Sequence, residues 1–102
     1  EIVAIRNACS ALGAFSLERA NIYTSCEPCP MCLSAIYWSH IDKIYYGNNR
    51  KDAAKIGFDD SYIYDELSID LNKRKIPLEQ INEKEAIKAF EEWEVKTDKT
   101  VY

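Results

Sequence analysis

The sequence is poor in several features that define other classes of protein. It has no apolar run close to the ~18 residues of a membrane-spanning helix, and no basic and then apolar leader at its start. Its three glycines and three prolines exclude collagen-like and low-complexity chains. Its only methionine is Met31, so it does not begin at an initiator methionine. We expect a soluble, cytoplasmic protein without a membrane partner, whose natural start lies upstream of this chain.

Basic residues are also scarce. The chain has 13 Lys and Arg against 17 Asp and Glu, which gives a net charge of −4. The first fifty residues hold four of each sign, so the acidic excess lies entirely in the second half. Nothing resembles the cationic stripe with which proteins bind a phosphate backbone. A long nucleic acid is therefore not an expected partner, whereas a single small base is compatible with this charge.

What the chain does contain is apolar and aromatic surface. Apolar residues make up 47% of its 102 residues and aromatic residues 12%, which predicts a packed core and excludes disorder. The length corresponds to one domain, with no internal repeat and no linker. A chain this short buries only about two thirds of its unfolded surface, so a metal ion or a partner subunit would stabilise it.

Apolar spacing and turn residues predict alternating helices and strands. The predicted helices are residues 2–12, 29–39, 50–56, 62–67 and 83–94, and the predicted strands are residues 21–25, 43–47 and an edge strand at 76–81. Gly13 is expected to end the first helix, and Pro28 and Pro30 bracket the turn into the second. This alternation is typical of a layered α/β fold.

Three of the four cysteines, Cys26, Cys29 and Cys32, lie in one short run. Cys29 and Cys32 are one turn apart at a predicted helix start, where the helix dipole favours the thiolates that zinc requires. The same run after a strand is also typical of a thioredoxin-like redox site. An iron–sulfur cluster is a third interpretation, weakened because no fourth cysteine lies nearby. Cys9 is expected to be a small buried apolar residue.

Two separate motifs connect this chain to a known superfamily. Residues 1–6 read Glu-Ile-Val-Ala-Ile-Arg, and residues 28–32 read Pro-Cys-Pro-Met-Cys one helix and one strand later. Together they resemble the His-Ala-Glu and Pro-Cys-x-x-Cys motifs of the cytidine deaminase superfamily, with the first motif entered at its glutamate. The resemblance implies a three-layer α/β/α fold with a mixed sheet whose N-terminal part is missing here. It also implies Zn²⁺ held by Cys29, Cys32 and a histidine upstream of Glu1.

Later residues narrow the resemblance, which then extends over the whole chain. Ala-Ile-Tyr-Trp at 35–38, Ile-Gly-Phe-Asp-Asp-Ser at 56–61 and the final tyrosine are similar to the bacterial guanine deaminase family. That family implies hydrolytic deamination of guanine to xanthine and ammonia, in a homodimer that exchanges a segment of about residues 83–102. Glu1 would be the catalytic acid and base, Asp60 would accept hydrogen bonds from the purine, and Tyr102 would close the neighbouring subunit's pocket.

Plainer interpretations of these residues stay open on the sequence alone. Glu1 also suits the first turn of a helix, and Asp60 also suits a helix cap. Trp38 is expected to pack in the core rather than line a pocket, and His40 to be a solvated residue at a helix end. The alternative function is a thioredoxin-like or non-catalytic Cys-x-x-Cys domain. Within the superfamily, the alternative substrate is another nucleobase or a nucleoside.

Overall fold

A computed structural model describes all 102 residues. It contains five α-helices: α1 (Ile2–Leu12), α2 (Pro30–Trp38), α3 (Arg50–Lys55), α4 (Ser61–Ser68) and α5 (Glu83–Val95). Two strands, β1 (Asn21–Cys26) and β2 (Lys43–Asn48), and a short 3₁₀ helix (Leu71–Lys73) complete the chain. Each α-helix, and each of these two strands, lies within one residue of its predicted bounds. The predicted alternation is therefore confirmed over this part of the chain.

The two strands pair in parallel, with Ile22 opposite Ile44. Parallel neighbours need a crossover connection, and α2 lies between them in the chain. The most buried apolar side chains are Ile22 of β1, Cys32 and Ile36 of α2, and Leu17 of the loop before β1. Because Cys32 and Ile36 are four residues apart, they lie on one face of α2. The small core therefore includes one face of α2 together with residues of β1 and of the loop before it.

Local caps explain where two of the helices begin and end. Gly13 has a left-handed φ of 62°, and its N–H donates to the Ser10 carbonyl, so α1 stops there as predicted. Asn49 and Asp52 form a capping box, in which each side chain accepts the other residue's backbone N–H at 2.9 and 3.0 Å. The capping box fixes the start of α3, and with it the position of Arg50.

The predicted edge strand at 76–81 is wrong. Those residues have no helix or strand structure, and the 3₁₀ helix lies just before them. The chain's only sheet consists of β1 and β2. Pro77 has no N–H to donate to a ladder, so the segment's apolar residues are not enough to make it a strand.

The chain divides into two compact units, residues 1–69 and 70–102. The first unit contains both strands, α1 to α4 and the buried core. The second contains α5, on which Ile87, Phe90 and Trp93 remain substantially exposed. The boundary precedes residue 83, where the exchanged segment is predicted to begin. None of the helices combines the length and the apolar character needed to cross a membrane.

Candidate active site

An open pocket of about 810 Å³ lies in the first unit, at the carboxyl ends of the two strands. Cys26 and Asn48, the last residues of β1 and β2, both line it. The rest of its wall comes from the residue before α1, the turn between β1 and α2, and the segment from α3 to α4. Loops diverge from a parallel sheet at this edge, which is where α/β proteins bind their ligands.

Four of the five site residues predicted from the sequence line this one pocket: Glu1, Cys29, Cys32 and Asp60. The structure thus brings together the two motifs and the aspartate, although the role of each residue stays a prediction. All the lining residues belong to the first unit, whereas Tyr102 is the exposed last residue of the second.

The two cysteines of the second motif occupy the first turn of α2. Cys29 is the N-cap residue and Pro30 the first helical residue, where the missing proline N–H costs no hydrogen bond. The Cys29 carbonyl accepts the N–H of Leu33 at 2.8 Å, which closes the first turn. Cys32 is buried and Cys29 is partly exposed, so one of the two thiols is withdrawn from solvent.

Burial raises the pKa of the Cys32 thiol, and the Glu1 carboxylate and the Cys29 thiol raise it further. The carboxylate and the second thiol therefore both disfavour ionisation of Cys32. A divalent cation has the opposite effect, because its charge favours the deprotonated form of a thiol beside it. The donor chemistry fits zinc, which is bound readily by thiolate sulfur. No three His, Cys, Asp or Glu side chains form a metal-binding group within the 102 residues.

The Glu1 side chain is bound by a residue of β1 and not by the helix that Glu1 precedes. It precedes α1 as the N-cap residue, but its side chain makes no capping hydrogen bond. Instead the Thr24 hydroxyl of β1 lies 3.0 Å from Glu1 Oε1, to which it donates, and 2.9 Å from the Cys26 carbonyl oxygen. Sequence reasoning missed Thr24. The available signal was strand alternation, which places Thr24 on the same face of β1 as Cys26.

The helix-cap interpretation applies to Asp59 rather than to Asp60. Asp59 Oδ1 accepts the backbone N–H of Ser61 at 3.0 Å. Hydrogen bonds from the Ser61 side chain and backbone hold the pKa of the Asp59 carboxyl below its ordinary value. Asp60 precedes α4 without a side-chain capping bond, and its Oδ1 lies 3.5 Å from Arg50 Nε. The Asp60 side chain is only 16% exposed, whereas Asp59, which also lines the pocket, is an exposed residue.

Arg50 is a second residue that sequence reasoning missed. Its guanidinium carbon lies 3.8 Å from the centroid of the Tyr64 ring. The Tyr64 hydroxyl in turn donates to the Pro28 carbonyl at 3.4 Å, next to Cys29. No motif identified this group, because its members come from three separate segments of the chain.

Other residues considered from the sequence lie elsewhere. Trp38 is 65% exposed, so the expectation that it packs in the core is wrong. His40 follows the far end of α2, where its Nδ1 lies 3.3 Å from the Ser16 hydroxyl, and it does not line the pocket. Cys9 is partly buried, without being part of the core, and Cys26 borders the pocket.

Comparison with known proteins first identifies the class. Residues 1–48 match the cytidine and deoxycytidylate deaminase zinc-binding region, a stretch that includes Glu1, Cys29 and Cys32. Residues 1–48 are therefore similar to the zinc-binding region of these deaminases, and the chain has the cytidine deaminase-like α/β fold. This confirms the superfamily resemblance and the predicted cofactor, zinc. The fold also excludes the thioredoxin-like alternative.

Individual proteins give a more specific comparison than the family region does. Guanine deaminase of Bacillus subtilis (strain 168) is 45% identical over 102 residues, which are 100% of this chain and 65% of that protein. The X-ray structure of guanine deaminase from Bacillus subtilis matches with a TM-score of 0.93 at 44% identity, over 99% of this chain and 64% of that one. The tRNA-specific adenosine deaminase of the same strain is 45% identical over 47 residues, 46% of this chain and 29% of that protein. The chain thus spans just under two thirds of its guanine deaminase relative.

Proposed function

We propose that the protein carrying this chain is a zinc-dependent hydrolase that converts guanine to xanthine and ammonia. The observation that carries this proposal is the convergence of Glu1, Cys29, Cys32 and Asp60 on one pocket. Two sulfur ligands, a carboxylate beside them and a second carboxylate on the same wall are the parts that metal-assisted deamination needs. The similarity to guanine deaminase over the whole chain supports the choice of substrate.

Cys29 and Cys32 would hold the zinc ion together with a ligand that these residues do not supply. When bound, zinc is a Lewis acid that makes water reactive near neutral pH. The protein's own contribution is to keep the two cysteines together at the start of one helix. Cys26 ends the preceding strand and lies outside this helical turn, so we assign it no bond to the metal.

Glu1 would take one proton from the attacking water and pass it to the purine ring nitrogen. It would then take the remaining hydroxyl proton and pass it to the amine, which departs as the C2 carbonyl forms. A carboxylate beside the sulfur ligands is placed for this transfer, and the bond from Thr24 holds one of its oxygens. The attack would occur at C2 of guanine, the carbon that carries the amino group. Ammonia then leaves and xanthine remains.

Asp60 would select the base. Guanine presents an N1–H and a 2-amino group side by side, and an ionised carboxylate can accept hydrogen bonds from both. Adenine has neither donor at these positions, so it would leave the carboxylate unpaired. The pocket is large enough for a purine, and Phe58 on its wall offers an aromatic face for the ring.

We further propose that the protein acts in purine breakdown in the cytoplasm, as a homodimer that exchanges its C-terminal segments. The four cysteines are free thiols, as a reducing compartment would keep them. The exposed apolar residues of α5, Phe90 and Trp93 among them, would be covered by the partner subunit. Tyr102 would then reach the pocket of that subunit.

The test is the variant Glu1→Gln in the full-length protein, assayed by the absorbance change from guanine to xanthine. We expect zinc to stay bound, because Glu1 is not a ligand, and kcat to fall by about 10²- to 10⁴-fold, the usual contribution of a positioned acid or base. Glu18→Gln, a change at an exposed glutamate outside the pocket, is the matched control and should retain full activity.

Two results would contradict the proposal. If Glu1→Gln loses its zinc, Glu1 supports the metal site rather than the proton transfer. If the wild-type protein leaves guanine unchanged but releases ammonia from adenine, cytosine or a nucleoside, the reaction class stands and the substrate is wrong.

A further inference from the structure

Arg50 lies beside Asp60, the carboxylate that is proposed to bind the base. Its Nε lies 3.5 Å from Asp60 Oδ1, and its guanidinium carbon lies 3.8 Å from the centroid of the Tyr64 ring. A flat cation over an aromatic face is attracted by the ring's negative quadrupole, and the stacking fixes the plane of the guanidinium. The Arg50 guanidinium therefore stacks on the Tyr64 ring and has the Asp60 carboxylate near its Nε atom.

The Nε–H of Arg50 is buried and has no hydrogen-bond partner. A buried, charged donor without an acceptor is costly, so the arrangement favours any small movement that supplies one. Asp60 Oδ1, at 3.5 Å, is about 0.6–0.8 Å too distant for a short charge-assisted bond, which spans about 2.7–2.9 Å. Catalytic hydrogen bonds are often long without ligand and shorten when substrate binds.

Arg50 itself is well anchored. The capping box at Asn49 fixes the first turn of α3, and the Arg50 backbone N–H donates to Glu27 Oε1 at 3.3 Å. Tyr64, under the guanidinium, donates to the Pro28 carbonyl at 3.4 Å. Both contacts lead to the turn between β1 and α2, which carries the zinc ligand Cys29. The guanidinium thus has a defined position relative to that turn.

We infer that Arg50 is a positioning residue that orients the Asp60 carboxylate toward the base, an inference that rests on the proposed function. Binding one lone pair of one carboxylate oxygen fixes the rotation of the side chain and keeps its charge. The remaining lone pairs on both oxygens are then available for the two guanine donors. Without Arg50, the carboxylate would sample other rotamers of its short side chain. A misplacement of about 1 Å is enough to cost on the order of 100-fold in rate.

The experiment is a double-mutant cycle in the full-length holoenzyme, with kcat and KM for guanine as the readout. Arg50→Met should lower kcat/KM by about 10- to 100-fold, mostly through KM, because ground state and transition state both need the oriented base. In the Asp60→Asn background, the same change should cost less than about threefold, since its target is already gone. Lys51→Met, which removes an equal charge at the next, exposed position, should leave kcat/KM unchanged.

Equal factors for Arg50→Met in both backgrounds would overturn the inference, since a merely structural role acts independently of Asp60. If Asp60→Asn is too slow to assay, the cycle is repeated as guanine dissociation constants in the Glu1→Gln background, where binding occurs without turnover. If Arg50→Met does not fold, Arg50→Lys replaces it, because lysine keeps the charge but loses the fork and the stacking. A wild-type protein that neither binds nor converts guanine would instead overturn the proposed function.

Discussion

Cys26, Cys29 and Cys32 border the same pocket, yet their backbones differ. Cys26 is the last residue of a strand, Cys29 is the N-cap residue of α2, and Cys32 lies within the first turn of that helix. Only the last two belong to the same helix terminus. Nearness in the sequence therefore does not make the three thiols equivalent.

Zinc content should separate the three cysteines. In the full-length protein, Cys29→Ser and Cys32→Ser should each reduce bound zinc from about one per chain to near zero, because a serine hydroxyl is not ionised at neutral pH and is a poor zinc ligand. Cys26→Ser is the matched control and should keep its zinc. Metal analysis of the purified variants measures this. Loss of zinc from Cys26→Ser would show that the ligand assignment is wrong.

The segment between α3 and α4 is the element that carries Asp60, the residue proposed to select the base. Gly57 has a φ of 95°, which side-chain-bearing residues rarely adopt, although a Cβ there would meet no atom within 4 Å. The requirement for glycine is therefore conformational and not one of space. This turn leads into Phe58, Asp59 and Asp60, all of which line the pocket. The backbone conformation at Gly57 thus sets where these three residues enter the pocket wall.

The cap at Asp59 should contribute to stability in a pH-dependent way. Because folding lowers the pKa of this carboxyl, its contribution is present above the ordinary aspartate pKa of about 3.9 and is lost as pH falls through the lowered value. Asp59→Ala should therefore lower the melting temperature at pH 7, and this difference should shrink in acid below about pH 3.9.

Thermal unfolding at a series of pH values measures that difference. Asp65→Ala, which removes an exposed carboxylate from α4 itself, is the control for general effects of charge and acid. If Asp59→Ala destabilises the protein equally at pH 7 and in strong acid, the bond from Ser61 does not depend on the carboxylate charge. That result would contradict the expected pH dependence.

At the scale of the whole molecule, the second unit differs from the first because its helix α5 exposes apolar side chains. In α5, the apolar residues recur at helical spacing, but Phe90 is 73% exposed. An amphipathic helix gains most of its stability from burying such a face. The proposed exchange of C-terminal segments would bury it and would also give Tyr102 a place in the other subunit's pocket.

Mixing two inactive variants tests this exchange. Asp60→Asn and deletion of Tyr102 should each impair guanine turnover. If tails are exchanged, each mixed dimer has one pocket with both defects and one with neither. Random mixing should then restore about a quarter of the wild-type activity, since half of the dimers are mixed and half of their pockets are intact. A mixture as inactive as its parents, although mixed dimers form, would show that each tail serves its own subunit.

The sequence by itself determined the elements of this protein and the chemistry of its motifs. Helical periodicity, the left-handed Gly13 and the proline at the start of α2 act within a few residues, so their effects can be predicted without knowing the fold. The same is true of Cys29 and Cys32, whose spacing alone places them on one helical turn. Glu1 and Asp60 were found through motifs, and the structure places both in the pocket.

Only the tertiary structure decided how those residues are held. The bond from Thr24 to Glu1 and the group formed by Arg50, Asp60 and Tyr64 join segments that local sequence does not connect. For the same reason the apolar residues at 76–81 suggested a strand, although no neighbouring strand pairs with them. Burial and pairing depend on what lies across space, and a residue's neighbours in the chain do not specify that.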